Sequence, residues 1–250
     1  MNHILKDFEK DGFVIIKKFI LNTQFDIICE KLNKKIEIEF NKIDKNKLGG
    51  SLIGNLALQP GNYTKKIFDQ LVVNNIDSIV ETLSKNKISD FDIDGGGNIN
   101  FQWKYNQHFH IDGIFEKSHF IINVATENIN ELNGPLEISP GTHKQNLPYW
   151  KFLFKKKRKK MLLAKGDIII RSSNAWHRGT KNISKKPRFL MSYLLTNKRD
   201  KMSKLNFNKN SKFKISDNIF KRSVVGKIKE NLYTRFSYLY IGIRFIKSFF

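Results

Sequence analysis

The sequence predicts a mainly β fold with flanking helices, built as an antiparallel sandwich or jelly roll. Three observations carry this reading. Short apolar runs, each about the length of one strand, recur between residues 99 and 195. Turn residues separate them, among them Asn133-Gly134-Pro135, Pro140-Gly141 and Lys165-Gly166. Helical spacing falls before residue 84 and after residue 231. A double-sheet barrel of this kind has a mouth where side chains from different strands converge.

The elements follow in order. Phe8-Glu9-Lys10-Asp11 reads as a helical turn, broken at Gly12 and continued as a strand over Phe13–Ile16. Asn22/Thr23 supplies an N-cap. Phe25, Ile28, Cys29, Leu32 and Ile36 then repeat at helical spacing. Asp44–Gly61 reads as loop and Lys66–Leu83 as a second helix. Asp94-Gly95-Gly96-Gly97 reads as a flexible turn. Strands are expected over Ile99–Tyr105, His119–Thr126, Leu136–Ser139, Asp167–Arg171 and Arg188–Leu195. Lys155–Lys160 reads as a basic loop. After Thr196 the chain turns polar and Lys/Asn-rich to about Asp217, as a linker does. Residues 1–200 are therefore expected to form one domain and 201–250 a basic, aromatic-rich extension.

At 250 residues, 40% hydrophobic and 12% aromatic, the chain can bury one sizeable core. Its single cysteine, Cys29, excludes an internal disulfide framework and points to a reducing, cytoplasmic setting. That thiol lies in an apolar helical pattern and reads as structural. No signal peptide is expected, since Met1–Lys6 leads into charged sequence, and no apolar run reaches the roughly 18 residues of a membrane span. The net charge of +22 is lopsided: residues 1–150 hold 17 Lys+Arg against 19 Asp+Glu, and residues 151–250 hold 28 against 4. Abundant Lys, Asn, Ile and Phe resemble AT-rich coding, which accounts for Lys over Arg but not for the missing acids. A block this basic suggests an anionic partner, a membrane surface, nucleic acid or polyanionic substrate, with coding bias as the equal alternative.

The chemistry-bearing residues are His110, Asp112, His177 and Arg188. Residues two apart on a strand share a face, so His110 and Asp112 can reach one metal ion. His177 follows the Gly166-Asp167 turn and an apolar strand that would carry it into the same barrel. Two imidazoles and one carboxylate suit a non-haem Fe(II) site with positions left open for a co-substrate and oxygen. Arg188 lies 11 residues beyond His177 and shares a strand face with Leu190, Ser192 and Leu194. A guanidinium on an apolar face needs a carboxylate, and the C5 carboxylate of 2-oxoglutarate would supply one. Each residue alone has a plain alternative: a core histidine, a turn aspartate, a solvated arginine. The ordered combination favours the metal.

Phe8–Ile16, His110–Asp112, Asn133–His143 and the block from Gly166 to Arg188 together give the chain, over residues 5–196, a resemblance to the phytanoyl-CoA dioxygenase family of Fe(II)/2-oxoglutarate oxygenases. Phe8-Glu-Lys-Asp-Gly-Phe-Val-Ile-Ile16 resembles the family's opening segment. Asn133-Gly-Pro-Leu-Glu-Ile-Ser-Pro-Gly-Thr-His143 resembles its Asn-Gly to Pro-Gly-Ser/Thr-His segment. Gly166-Asp167 through Trp176-His177-Arg178-Gly179, Asn182, Ser184 and Arg188 resembles its distal block, and His110-Ile111-Asp112 its first ligand pair. The resemblance implies a double-stranded β-helix, cupin-like barrel. It also implies iron on His110, Asp112 and His177, and 2-oxoglutarate on Arg188. Gln102, Trp103 and Asn123 would line the co-substrate pocket and His108 the substrate side, while His143 would fix its loop by hydrogen bonding. Halogenating relatives lack the carboxylate, so Asp112 argues for hydroxylation of a small or lipid-like substrate by O2, with 2-oxoglutarate converted to succinate and CO2.

The tail is read separately. Leu232, Phe236, Leu239, Ile243, Ile246 and Phe250 fall at helical spacing beside Arg235, Arg244 and Lys247. Such a helix lies in a membrane interface, packs on the barrel or joins two copies; nucleic acid is the weakest fit. The rival to an enzyme is a non-catalytic metal-binding jelly roll whose basic half binds an anionic surface.

Overall fold

The computed structural model describes residues 2–43, 55–112, 119–144, 147–199, 212–216 and 224–249. Three helices and two strands open the described chain: α1 (Asn2–Asp11), β1 (Phe13–Ile16), α2 (Thr23–Asn41), β2 (Asn55–Gln59) and α3 (Asn62–Val73). Then come α4 (Ile76–Ser84), β3 (Phe91–Asn100), β4 (Phe120–Ala125), β5 (Leu136–Ile138) and α5 (Tyr149–Leu153). The rest is β6 (Lys159–Met161), β7 (Ile168–Ser172), β8 (His177–Gly179), β9 (Arg188–Asn197), β10 (Lys214–Ser216), α6 (Val224–Tyr233) and α7 (Ser237–Lys247). Seven strands pair in the order β1-β7-β4-β9-β3-β2-β10 and three in the order β6-β5-β8. Every strand pairing is antiparallel.

Strand alternation sorts the core into two layers. From β9, Phe189, Met191, Tyr193 and Leu195 join Ile122, Ile168 and Ile170 against Phe25, Leu32, Ile67 and Leu71 of the helices. Leu190 faces the other way and packs with Phe13, Ala125, Ile138, Met161 and Ile169 between the sheets. The polar residues of that inner face are those that build the site. Asn22 caps α2, its side chain accepting from the Phe25 N–H at 2.8 Å. Cys29 is buried on the same helix, and burial pushes its thiol up to about 12, so it is no nucleophile. No described helix is long and apolar enough to cross a membrane.

Several expectations are corrected. Asp94-Gly95-Gly96-Gly97 is no turn but the middle of β3, which pairs with β9 along its whole length. The glycines are needed for close approach. A Cβ on Gly97 would lie 2.4 Å from both the Leu190 carbonyl oxygen and the Phe189 ring, and one on Gly95 2.2 Å from Thr64 Cγ2. Gly97→Ala should therefore destabilise the fold by about 1–3 kcal/mol, because backbone must move to admit the methyl group. Equilibrium denaturation checks this, and an unchanged midpoint would contradict it.

Within the expected loop 44–61, Asn55–Gln59 is a strand paired with β3, while 44–54 lie outside the described residues. The expected helix over Lys66–Leu83 is two helices, broken where Asn75 takes a left-handed φ of 66°. The expected strand Ile99–Tyr105 ends at Asn100; the chain then crosses to the second sheet through isolated bridges at Gln102 and His110. Lys159–Met161, in the expected basic loop, pairs with β5. Lys214–Ser216, in the expected linker, pairs with β2. Such edge strands are short, and no local periodicity marks them.

Candidate metal centre

Backbone pairing brings the first two histidines together. His110 and His177 exchange N–H···O=C bonds, both at 2.9 Å, which places their rings 4.4 Å apart. Asp112 is pinned through its N–H to the Ser173 carbonyl at 3.0 Å, in the turn between β7 and β8. His110 Nδ1 lies 2.9 Å from the His108 carbonyl oxygen and His177 Nδ1 2.9 Å from that of Ala175. A carbonyl can only accept, so both Nδ1 atoms carry the proton and both Nε2 lone pairs are free. Those lone pairs meet the carboxylate: Asp112 Oδ1 is 3.6 Å from His110 Nε2, and Oδ2 is 3.2 Å from His177 Nε2.

One donor atom from each of the three residues lies within 4.8 Å of the others, the one such cluster among the described residues. Two neutral imidazoles with oriented tautomers and one carboxylate fit a divalent iron ion. Protonation favours the same state. Burial lowers the His110 pKa to about 4. Burial alone would raise Asp112, but the surrounding positive charge, with Arg171 in direct contact, outweighs it and holds the carboxyl well below its usual range.

Arg171 was not among the expected site residues, yet it is central. Its guanidinium is 6% exposed and donates from Nη2 to Asp112 Oδ2 at 2.6 Å. Its Nε donates to Asn123 Oδ1 at 3.2 Å, and Asn123 Nδ2 donates to Ser192 Oγ at 2.7 Å. The approach of Nη1 to His177 Nδ1 at 3.5 Å joins two protonated nitrogens and is proximity, not a bond. A row thus runs along the inner wall: Ser192, Asn123, Arg171, Asp112. The sequence held a signal for it. A charge that closes the run Ile168-Ile169-Ile170 on a buried strand requires a buried partner.

The other expected residues are placed as follows. Arg188 is 4% exposed, on the same face of β9 as Ser192 and roughly 13 Å further along the strand. Its Nε donates to the Asn133 carbonyl at 3.3 Å and its Nη2 to that of Gly134. Burial lowers its pKa to about 10, with Glu127 as the opposing charge. Asn182 Nδ2 donates to the Asn100 carbonyl at 2.8 Å and Asn100 Nδ2 to that of Thr180 at 2.9 Å, so these two asparagines fix the hairpin before Arg188. Gln102 is exposed and lines a surface groove of about 350 Å³ with Trp103, Lys104, Tyr105, Asn182 and Ile183, none of them in the triad.

His108 turns toward the tail: its ring lies 2.9 Å from the Tyr233 carbonyl and 4.6 Å from the Tyr240 ring centroid. The Pro-Gly-Thr-His turn is held by Thr142, which accepts from the Trp176 N–H at 3.0 Å; the His143 ring packs on Gly12 and Phe8. Arg244 of α7 donates to the Phe109 carbonyl at 2.9 Å and covers Tyr149 at 3.8 Å, so the tail braces the segment that carries His110.

Solved structures share this architecture. EvdO2 from Micromonospora carbonacea var. aurantiaca, complexed with 2-oxoglutarate, is 14% identical, with a TM-score of 0.62 over 79% of this chain and 91% of that one. SnoK, a non-heme alpha ketoglutarate dependent carbocyclase from nogalamycin biosynthesis, is 12% identical, with a TM-score of 0.61 over 86% and 96%. The epimerase SnoN in complex with Fe3+, alpha ketoglutarate and nogalamycin RO is 12% identical, with a TM-score of 0.58 over 78% and 83%. No curated protein matches the sequence significantly. The fold is thus the double-stranded β-helix of 2-oxoglutarate-dependent enzymes, with a His-Asp-His cluster on its inner wall. The chain belongs to the phytanoyl-CoA dioxygenase (PhyH) family, whose model matches residues 8–190.

Proposed function

We propose that this chain is an Fe(II)- and 2-oxoglutarate-dependent dioxygenase that hydroxylates a small or lipid-like molecule. One observation carries the reading: three donors from His110, Asp112 and His177 converge within 4.8 Å, with each Nδ1 tied to a carbonyl so that each Nε2 faces the centre. Family membership and the iron and co-substrate held by similar structures support it. Iron with 2-oxoglutarate and O2 supplies oxidation of an unactivated C–H bond, releasing succinate and CO2.

The protein supplies position and exclusion of water. Arg171 holds one oxygen of Asp112 and leaves the other for the metal. Asn123 and Ser192 extend the polar wall, and Arg188 is the buried cation beyond them, suited to a co-substrate carboxylate. Leu190, Ile169 and Phe13 make the surrounding wall apolar and dry. Similar enzymes epimerise or cyclise; the retained carboxylate of Asp112 argues against halogenation, and hydroxylation is the simplest outcome of that chemistry. On this reading residues 1–200 form the catalytic domain and 201–250 an extension.

Anaerobic titration of the protein with Fe(II) and then 2-oxoglutarate tests the proposal. A weak visible charge-transfer band of the chelated co-substrate is expected, and succinate should form on admitting O2. Iron bound without either would overturn the reading in favour of a redox-inert metal-binding barrel.

A further inference from the structure

We propose that α5 and α7 together form a docking face for an anionic membrane surface. The inference stands apart from the reading of the metal centre, because it uses none of the centre's residues. The two helices meet directly. The Trp150 ring stacks on Phe249 at 5.1 Å and 9°, and the Trp150 N–H donates to Ser248 Oγ at 3.1 Å. The inward side of α7 is spoken for. Ile241 packs on Leu147, Tyr149, Phe152 and Trp176, and Arg244 holds the Phe109 carbonyl.

The outward side is apolar and unpartnered. At 100° per residue, Tyr238, Leu239, Gly242, Ile243 and Ile246 fall in one arc on the side away from Ile241 and Arg244. Tyr238 is 88% exposed and Ile246 60%. A Cβ on Gly242 would meet nothing within 4 Å, which confirms that this arc is open. The end of α5 adds Leu153 and Phe154, the latter 73% exposed.

Charge decides the occupant. Lys155, Lys156 and Lys157 follow Phe154 and are all exposed. No Asp or Glu occurs between residues 138 and 166, or between 231 and 250. A second copy of this chain would bring like charges face to face. A nucleic acid would satisfy the lysines but leave Leu239, Ile243 and Ile246 in water. An anionic lipid surface satisfies both: aromatic and aliphatic side chains enter the headgroup boundary while the lysines stay on its charged plane. Since no described helix is long and apolar enough to cross a membrane, the contact lies on the surface.

Flotation of the full chain with two kinds of vesicle tests this: phosphatidylcholine alone, and equimolar phosphatidylserine and phosphatidylcholine. Binding to the anionic vesicles is expected, with little on the neutral ones. Phe154→Ser and Ile246→Ser, at positions that face water, should each weaken it roughly ten-fold. Each Lys→Gln change at 155, 156 or 157 should weaken it roughly five-fold, without moving the thermal midpoint. No flotation, or flotation indifferent to these changes, would overturn the proposal. So would a concentration-dependent dimer lost in the Phe154→Ser and Ile246→Ser variants. Retention on a single-stranded oligonucleotide that falls in the lysine variants but not in Phe154→Ser, without flotation, would point to nucleic acid instead.

Discussion

Asp112→Ala is expected to abolish tight Fe(II) binding and, unusually for a metal-ligand variant, to destabilise the metal-free protein as well. Removing a carboxylate from a metal site commonly relieves the apo state of repulsion or of an unpaired acid. Here the carboxylate is the partner of a buried cation. Arg171 is 6% exposed and its shortest bond, 2.6 Å, goes to Asp112 Oδ2. Without Asp112 the guanidinium keeps Asn123, a neutral acceptor at 3.2 Å. Loss of a charge-assisted bond to a buried group costs about 1.5–3 kcal/mol; Asp112 is one-third exposed, so water recovers part of it and the lower end applies. Denaturation of chelator-treated protein measures the stability, and calorimetric titration with Fe(II) measures the metal. The double variant Asp112→Ala with Arg171→Met should regain most of the apo stability, since an apolar side chain needs no counter-charge. A metal-free Asp112→Ala protein as stable as the parent would show that the Arg171 contact contributes nothing.

Substitutions at Arg188 should separate two roles that the structure combines in one side chain. The guanidinium is buried, bonds two backbone carbonyls of the Asn133-Gly134 turn, and faces Glu127 as its counter-charge. Arg188→Met removes the cation and leaves those acceptors and Glu127 without it, at a cost of about 3–5 kcal/mol. Unfolding at lower denaturant is therefore expected, whatever the protein binds. Arg188→Lys retains a charge but not the planar fork. That variant should fold and bind Fe(II) as the parent does, yet bind 2-oxoglutarate roughly ten-fold more weakly, about 1.4 kcal/mol. Unchanged co-substrate affinity in Arg188→Lys, with the fold intact, would confine Arg188 to holding the turn.

These residues differ in how far the sequence alone betrays their roles. His110 and Asp112 are legible as a pair because extended backbone puts residues i and i+2 on one face. The helix bearing Phe25, Cys29, Leu32 and Ile36 is legible because burial repeats at helical period. Arg171 is harder. Three isoleucines precede it and two serines follow, and its partner Asp112 is 59 residues away.

By itself the sequence determined where most of the strands fall and the donor set: the short apolar runs that become β4, β7 and β9, turn residues between them, and two imidazoles and a carboxylate in ligand order. Periodicity reports which face a residue occupies, and that is a local property. Tertiary structure decided what meets what. It made Asp94–Gly97 a strand, because Thr64 and Phe189 fill the volume that Gly95 and Gly97 leave empty. It paired Arg171 with Asp112, and it set Arg244 of α7 on the Phe109 carbonyl beside His110. These contacts join residues far apart in the chain, so their energies depend on distances that no window of sequence contains.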